Sequence, residues 1–236
     1  MNETLVIAGR SCVIRPEERP RFLLIQPADD HDLEMLESES RHLSLLCPAP
    51  WILAAFHVSD WNDDLSPWEA PPVFGNQPFR GKAGDTLAWT EQCLLPELFR
   101  KYSPAAGTPV ILGGYSLAGL FALWSVCQTE RFSAAACASP SLWFPGWIDY
   151  AEKHAPLAEC IYLSLGNREE KTRNPVMARS GQCIRAQYEL LQAGSLSRKS
   201  ALEWNEGNHF KDPDLRTARA FAWCMNTLSG SIPSGV

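Results

Sequence analysis

The chain has 236 residues, of which 45% are hydrophobic and 20% charged, and 27 acidic against 21 basic residues give a net charge of −6. This composition is typical of a globular protein with a sizeable core. Lys and Arg form no cluster that would follow a phosphate backbone, and no apolar run approaches a membrane span, so nucleic-acid and membrane partners are not expected.

The first part of the chain predicts an edge hairpin followed by two buried strands. Short apolar segments at 4–7 and 12–14 fit the hairpin, whereas 21–27 and 51–58 are apolar throughout, as strands buried on both faces are. Between these two strands, apolar residues recur up to Leu46 behind a run of acidic residues. Acidic residues favour a helix N-terminus, so a helix is expected there.

A long irregular segment, residues 59–84, comes next and contains four prolines, two tryptophans and several carboxylates. Loops of this length inside a compact domain are usually functional or disordered, and the aromatic residues argue against disorder. Asp85 is then expected to cap a helix over 86–102 that Pro96 interrupts.

Residues 109–124 predict a buried strand, a sharp turn, one serine and an apolar helix that begins without a cap. The turn matches the G-x-S-x-G nucleophile elbow, with Gly114 at its start, Ser116 at its centre and Ala118 in place of the last glycine. Strand and helix nearly touch in such a turn, so the positions two before and two after the serine must be small. The serine hydroxyl is then presented above the C-terminal edge of the sheet, in strained backbone geometry.

Strands and helices continue to alternate after the elbow. Strands are expected at 133–139, 160–165 and 201–204, and helices at 148–154, 175–192 and 212–228. The alternation predicts an α/β fold with a mostly parallel central sheet and helices on both faces, in a single domain over residues 1–236. Ligands of such sheets bind in the loops beyond the C-terminal ends of the strands, where Ser116, Glu169 and His209 all fall.

A serine nucleophile needs a neighbouring base that is oriented by a carboxylate. In α/β-hydrolases these residues follow one another in the order serine, acid, histidine, which excludes every histidine that precedes Ser116. His154 lies in a charged helical stretch, so His209, after the last predicted strand, is the candidate base. The acid is expected after the preceding strand, where Glu169 and Glu170 both qualify and Glu169 is preferred.

An oxyanion hole needs two backbone N–H groups. Leu117, which follows the serine, is expected to supply one, and the loop after strand 21–27 the other. Pro27 has no N–H, which leaves Ala28 or Asp29. Acidic residues crowd this loop, so their side chains are expected to point away from the developing negative charge.

Aromatic residues of the irregular segment and of the loops after the elbow are candidates for a substrate pocket, although such rings equally serve to pack a loop onto a sheet. The pocket candidates are Trp61, Trp68, Tyr115 and Trp143. Several carboxylates of the irregular segment predict an acidic mouth that disfavours anionic substrates. They are Asp60, Asp63, Asp64 and Glu69.

The cysteines predict a reducing compartment. They are scattered, mostly inside apolar runs and without a C-x-x-C pair, and such cysteines behave as small buried hydrophobes. The N-terminus lacks a basic region and a long apolar region, so no signal peptide is predicted and the expected location is cytoplasmic.

Taken together, these motifs resemble the putative-esterase (esterase D-like) branch of the α/β-hydrolases, which includes siderophore trilactone esterases, feruloyl esterases and mycolyltransferases. The resemblance rests on residues 114–123, 139–143, 166–169 and 208–210, which occur in the order of that family. It implies an α/β-hydrolase fold, ester hydrolysis without a metal or cofactor, and a second oxyanion amide at the position of Ala28.

The sequence therefore predicts a serine ester hydrolase that cleaves a small carboxylic ester through an acyl-enzyme, with Ser116 as nucleophile, His209 as base and Glu169 as the orienting acid. Its expected partner is a small-molecule ester, and its oligomeric state is left open. Two alternatives stand beside this prediction. One is acyl transfer or amide cleavage with the same residues, and the other is a non-catalytic binding module that kept the fold.

Overall fold

A computed structural model describes residues 2–194 and 198–230 of the chain. The strands in the described residues are β1 (Glu3–Ile7), β2 (Arg10–Arg15), β3 (Phe22–Ala28), β4 (Trp51–His57), β5 (Glu69–Ala70), β6 (Phe79–Arg80), β7 (Val110–Tyr115), β8 (Ala134–Ala138), β9 (Cys160–Gly166) and β10 (Lys199–Asn205). The α-helices are α1 (Asp30–Leu46), α2 (Trp61–Leu65), α3 (Ala83–Trp89), α4 (Leu95–Tyr102), α5 (Leu117–Ser125), α6 (Trp147–Ala151), α7 (Ser180–Ala193) and α8 (Pro213–Leu228).

Eight of these strands form one sheet in the order β1-β2-β4-β3-β7-β8-β9-β10. The β1–β2 and β2–β4 pairs are antiparallel, and all other neighbours are parallel. The edge hairpin and the mostly parallel sheet predicted from the sequence are confirmed. Because β7, β9 and β10 run the same way, the loops that follow them meet at one edge of the sheet.

Helices cover both faces of the sheet, and each face has its own apolar core. On one face α1 and α8 contribute Leu36, Leu43, Phe221 and Met225. On the other face α3, α4, α5 and α7 bury residues such as Leu87, Leu98 and Ile184. Every residue of β7 and of α5 is buried, which explains why this segment is apolar from end to end.

The segment between β4 and α3 is more structured than the sequence suggests, because it contains α2 and the short β5–β6 pair. The predicted cap at Asp85 is wrong: Lys82 occupies the N-cap of α3 without a side-chain hydrogen bond, and Asp85 lies in the first turn. Pro96 does not end the helical segment, which continues from α3 through a π-helical turn into α4. This π-helical turn, over Thr90–Leu94, precedes the proline and places it in the first turn of α4, where no N–H is needed.

A buried carboxyl group lies between α1 and the sheet. Glu39 Oε2 accepts a hydrogen bond of 3.2 Å from Gln26 Nε2, while Glu39 Oε1 and Gln26 Oε1 have no partner among the described residues. Burial, and to a smaller extent the charges of Asp32 and Asp214, raises the pKa of Glu39 to about 8. Glu39 therefore keeps its proton at neutral pH.

Within residues 2–194 and 198–230, no helix combines the length and the apolar character needed to cross a membrane. All eight cysteines are free, and six of them are buried. Burial raises the pKa of the Cys12 thiol to about 11, as expected for a cysteine that serves as a core residue.

Candidate active site

Ser116 lies at the turn between β7 and α5 with φ 57° and ψ −119°, in a region that side-chain-bearing residues seldom adopt. The turn is as tight as predicted. A Cβ on Gly114 would lie 2.5 Å from the Cβ of Ala118, and Gly114 itself has φ +157°. The elbow predicted from the sequence is therefore present, and only glycine fits at position 114.

Three side chains from three different loops form a hydrogen-bonded chain at this edge of the sheet. His209 Nε2 lies 3.1 Å from Ser116 Oγ, and His209 Nδ1 lies 2.7 Å from Glu169 Oε2. A carboxylate only accepts hydrogen bonds, so His209 Nδ1 carries the proton and Nε2 is the acceptor for the serine hydroxyl. The structure thus brings together Ser116, His209 and Glu169, whose sequence positions are far apart.

The second oxygen of Glu169 is held by three donors. Oε1 accepts hydrogen bonds from Gly166 N–H at 2.7 Å, Ser139 Oγ at 2.8 Å and Arg216 Nη1 at 3.0 Å. Arg216 is only 2% exposed, so its ion pair with Glu169 is almost completely removed from water. These contacts fix Oε1 and leave Oε2 directed at His209.

Arg216 also links the acid to the elbow. Its Nη1 donates to the hydroxyl of Tyr115 at 3.0 Å, and its Nη2 donates to the carbonyl of Glu206 at 2.9 Å. The Tyr115 hydroxyl in turn donates to the backbone carbonyl of His209 at 2.8 Å. Burial and the charge of Glu169 raise the pKa of Tyr115 to about 12, so it is neutral in its role as donor.

Glu170, the other candidate for the orienting acid, points elsewhere. Its Oε2 lies 3.2 Å from Arg185 Nη2, in an ion pair that is roughly half-exposed on the arginine side. Glu169 is therefore the carboxylate that contacts His209, and Glu170 is not.

A second serine contacts the elbow serine. Ser141 Oγ lies 3.1 Å from Ser116 Oγ, and Ser141 N–H donates to the backbone carbonyl of Ser116 at 3.0 Å. Since the Ser116 proton is directed at His209, the Ser141 hydroxyl must be the donor of this pair. Ser141 is completely buried and has little freedom to turn away.

Leu117 is the first residue of α5, so its N–H has no acceptor within the helix and is available beside Ser116. The prediction for the second amide needs correction. Ala28 is the last residue of β3, and its carbonyl accepts from Val58 N–H, on the β4 side of the strand. Because the N–H and C=O of one strand residue point to the same side, the Ala28 amide also faces β4 and not the elbow that follows β7.

The amide of Asp29, the alternative donor, comes next in the chain and lies at the N-cap of α1. It donates to Asp32 Oδ2 at 3.3 Å, while Asp32 N–H donates to Asp29 Oδ1 at 2.8 Å, so the two residues form a capping box. Burial and the charge of Asp29 raise the pKa of Asp32 to about 6. Asp29 and Ser116 line the same cavity, and the Asp29 amide is occupied by Asp32.

Two cavities lie on either side of His209, and Phe210, which is 84% exposed, borders both. The cavity that Ser116 lines has a volume of about 220 Å³ and includes Trp61 and Tyr115, two of the predicted pocket residues. The other has about 240 Å³ and includes a third, Trp143.

Trp68, the fourth predicted pocket residue, lines neither cavity. It is stacked on Trp147, and its indole N–H donates to the carbonyl of Pro145 at 2.9 Å. Its role is to pack the segment between β4 and α3 onto α6, because its large apolar ring and its single donor are both satisfied there.

The acidic mouth predicted for this segment is also not formed. Asp63 is buried between Arg80 and Lys82, Asp60 caps α2, and Asp64 lies 4.0 Å from Arg10. None of the four carboxylates lines either cavity beside His209. The charges of Asp63 and Asp64 face cations, Asp60 is used as a helix cap, and Glu69 is exposed in β5.

Sequence reasoning gave no site role to Arg216, Ser139 or Ser141, although Ser139 and Ser141 belong to one of the segments on which the resemblance rests. Arg216 lies in the first turn of α8, where nothing local shows that it is buried. Ser139 has φ 42°, and a serine-proline-serine motif at 139–141 is the one local signal that the loop after β8 has an unusual shape.

Within the described ranges, no group of three or more His, Cys, Asp or Glu side chains is arranged to hold a metal ion.

The chain has the α/β-hydrolase fold. An IroE-like serine hydrolase from Shewanella oneidensis superposes with a TM-score of 0.77 and 17% sequence identity, over 94% of this chain and 78% of its own. The siderophore hydrolase EstA from Aspergillus nidulans superposes with a TM-score of 0.76 and 18% sequence identity, over 97% of this chain and 95% of its own. The enterobactin esterase FES from Shigella flexneri superposes with a TM-score of 0.65 and 17% sequence identity, over 94% of this chain and 59% of its own. No protein-family model and no curated protein sequence matches the chain.

Proposed function

We propose that the protein is a serine ester hydrolase of the putative-esterase (esterase D-like) branch, and that it cleaves a small carboxylic ester with a Ser116–His209–Glu169 triad. The observation that carries the proposal is the continuous hydrogen-bonded chain from a strained elbow serine through a histidine to a buried carboxylate. The three similar structures are a serine hydrolase, a siderophore hydrolase and an enterobactin esterase, which supports ester hydrolysis as the reaction type.

In acylation, Ser116 Oγ attacks the carbonyl carbon of the ester while its proton passes to His209 Nε2. The carbonyl oxygen becomes negatively charged and accepts hydrogen bonds from the N–H of Leu117 and from that of Asp29, which exchanges Asp32 for the oxyanion. Glu169 stabilises the imidazolium through Nδ1–H. The bond between the acyl carbon and the alcohol oxygen then breaks, and His209 gives the proton to that departing oxygen.

In deacylation, water takes the place of the alcohol. His209 Nε2 accepts a proton from this water, whose oxygen attacks the acyl carbon, and the same amides bind the second oxyanion. The acyl–oxygen bond to Ser116 breaks, His209 protonates Ser116, and the carboxylic acid leaves. The cavity that Ser116 lines has a volume of about 220 Å³, below the roughly 300–1,000 Å³ typical of sites for drug-sized ligands, which supports a small acyl group.

The test is active-site labelling with a fluorophosphonate, combined with turnover of p-nitrophenyl acetate by the wild type and by Ser116→Ala. We expect stoichiometric labelling of Ser116 and a loss of at least about a thousandfold in turnover on substitution. An unlabelled wild type whose residual turnover equals that of Ser116→Ala would refute the proposal and leave the binding-module alternative. Products formed with added alcohol or amine distinguish hydrolysis from acyl transfer.

A further inference from the structure

The cavity on the far side of His209 from Ser116 is rich in hydrogen-bond donors. Its polar lining includes Arg168, Lys171, Thr172, Ser180 and Asn208, beside the apolar Trp143 and Met177. Neither Arg168 nor Lys171 forms an ion pair with any carboxylate of the described residues. Both cations line the cavity and are exposed to solvent, and no carboxylate of the described residues pairs with them.

One further polar group in this cavity lacks a partner. Ser180, at the start of α7, is only 4% exposed, and its hydroxyl makes no hydrogen bond within the described part of the chain. An unsatisfied buried hydroxyl costs free energy, so it marks a place where a ligand or water completes the structure. Ser180 belongs to the lining of this cavity, although its Oγ atom itself is closed off from the solvent-accessible space.

The loop that presents the cations is rigidly held. Arg168 N–H donates to the carbonyl of Gly207 at 3.0 Å, Lys171 N–H donates to the carbonyl of Arg168 at 3.1 Å, and Asn167 Oδ1 accepts from Gly207 N–H at 3.1 Å. Its one lining carboxylate, Glu169, is already bound by His209 and Arg216. No free negative charge in this loop therefore competes for the cations.

The cavity on the Ser116 side has the opposite character, because Asp29 and Asp32 line it. In the proposed reaction the acyl group stays on Ser116, whereas the alcohol takes its proton from His209 and leaves past that side chain. We assign the acyl group to the acidic cavity, which Ser116 lines, and the alcohol to the basic cavity, which His209 lines without Ser116.

We propose that the cavity lined by Arg168, Lys171 and Ser180 is a subsite for an anionic group, a carboxylate above all, carried on the alcohol part of the ester. This inference rests on the proposed ester hydrolysis. The apolar walls formed by Trp143 and Met177 favour a flat or short spacer between that anion and the scissile bond.

The kinetic test compares 4-acetoxybenzoate with 4-acetoxybenzamide, which differ in the charge at the end of the alcohol part, each normalised to its rate with hydroxide. We expect kcat/KM to be about tenfold higher for the benzoate, and 0.5 M salt to remove most of this preference. Arg168→Gln and Lys171→Gln should each lower the benzoate value about threefold and leave the benzamide value unchanged. Arg173→Gln, in the same loop but outside the lining, is the matched control and should change neither.

A binding measurement separates failure of the subsite from failure of the proposed reaction. In calorimetry with Ser116→Ala, which needs no turnover, 4-hydroxybenzoate is expected to bind about tenfold more tightly than 4-hydroxybenzamide, and Arg168→Gln should reduce this difference to about threefold. Equal binding of the two products would overturn the subsite whether or not the protein hydrolyses esters. A benzoate preference that survives both cation substitutions would overturn the subsite as well. A third comparison, of 4-nitrophenyl hemisuccinate with 4-nitrophenyl butyrate, places the carboxylate on the acyl side. A preference for the carboxylate seen only in this pair would also overturn the subsite.

Discussion

Replacement of Glu169 by Gln changes the tautomer of His209. Oε1 of Glu169 accepts from Gly166, Ser139 and Arg216, and in glutamine only the amide oxygen is able to take that place. The NH₂ group must then face His209 Nδ1. Nδ1 becomes the acceptor, the proton moves to Nε2, and His209 is no longer able to accept the proton of Ser116.

The magnitude follows from this exchange of roles. The wrong tautomer in a serine–histidine–acid triad costs about 10⁴-fold in kcat. At about 1.36 kcal/mol for each factor of ten, this is about 5.5 kcal/mol of transition-state stabilisation. The buried donors around Oε1 keep their acceptor, so we expect Glu169→Gln to fold. The buried Arg216 loses its counter-charge, however, so urea unfolding should show a loss of about 3 kcal/mol beside the loss in rate.

The assay is turnover of p-nitrophenyl acetate together with the rate of fluorophosphonate labelling, for Glu169→Gln and for Glu170→Gln as the matched control. Glu170 forms a partly exposed pair with Arg185, so its substitution should change both rates by no more than about twofold. Retention of more than a tenth of the activity by Glu169→Gln, or an equal loss in Glu170→Gln, would refute this reasoning.

Three further predictions concern the framework of the site. Gly114→Ala would place a Cβ 2.5 Å from that of Ala118, so we expect the free energy of unfolding in urea to fall by about 2–3 kcal/mol. Gly84→Ala, with no atom near its added Cβ, should leave this free energy unchanged or raise it slightly. Equal effects of the two substitutions would contradict the tight elbow. Arg216→Met leaves a buried carboxylate without its cation and should destabilise the fold by about 3–5 kcal/mol. Arg219→Met, on the same helix, removes a partly exposed pair with Glu203 of β10 and should cost about 1 kcal/mol or less. Urea titrations of both variants measure the contrast, and similar losses would argue against it. Glu39 keeps its proton in the folded state up to about pH 8 but ionises near 4.5 when unfolded, so the wild type loses stability between these pH values as pH rises. Glu39→Gln abolishes this loss, and its stability advantage over the wild type should grow to about 3 kcal/mol at pH 7; an advantage that is the same at pH 5 and pH 8 would show that Glu39 is ionised in the fold.

Local sequence determined the elbow and the type of fold. The turn at Ser116 requires small residues at fixed positions, and an all-apolar strand and helix flank it, so steric exclusion and hydrophobic pattern are both readable from residues 109–124. The alternation of strands and helices likewise predicts a mostly parallel sheet, and the position of a residue just after a strand places Ser116, Glu169 and His209 at one edge.

Tertiary structure alone decided how the remaining groups are used. Glu169 and Glu170 are adjacent and chemically identical, and only the direction in which the loop after β9 turns decides that Glu169 meets His209 while Glu170 meets Arg185. The same holds for Ala28 and Asp29: Ala28 ends β3 and pairs with β4, whereas the Asp29 amide is bound by Asp32 at the N-cap of α1.

Burial was the property least accessible to the sequence. Arg216 and Trp68 belong to residue types that serve equally as surface groups, pocket walls or core residues, and no local pattern distinguishes these roles. Arg216 is held inside the protein by Glu169 and Tyr115, which are distant along the chain, and Trp68 by Trp147. One short stretch of sequence thus determines the elbow and its serine nucleophile. The ion pairs and the aromatic packing around the elbow arise from contacts between residues that only the folded sheet brings together.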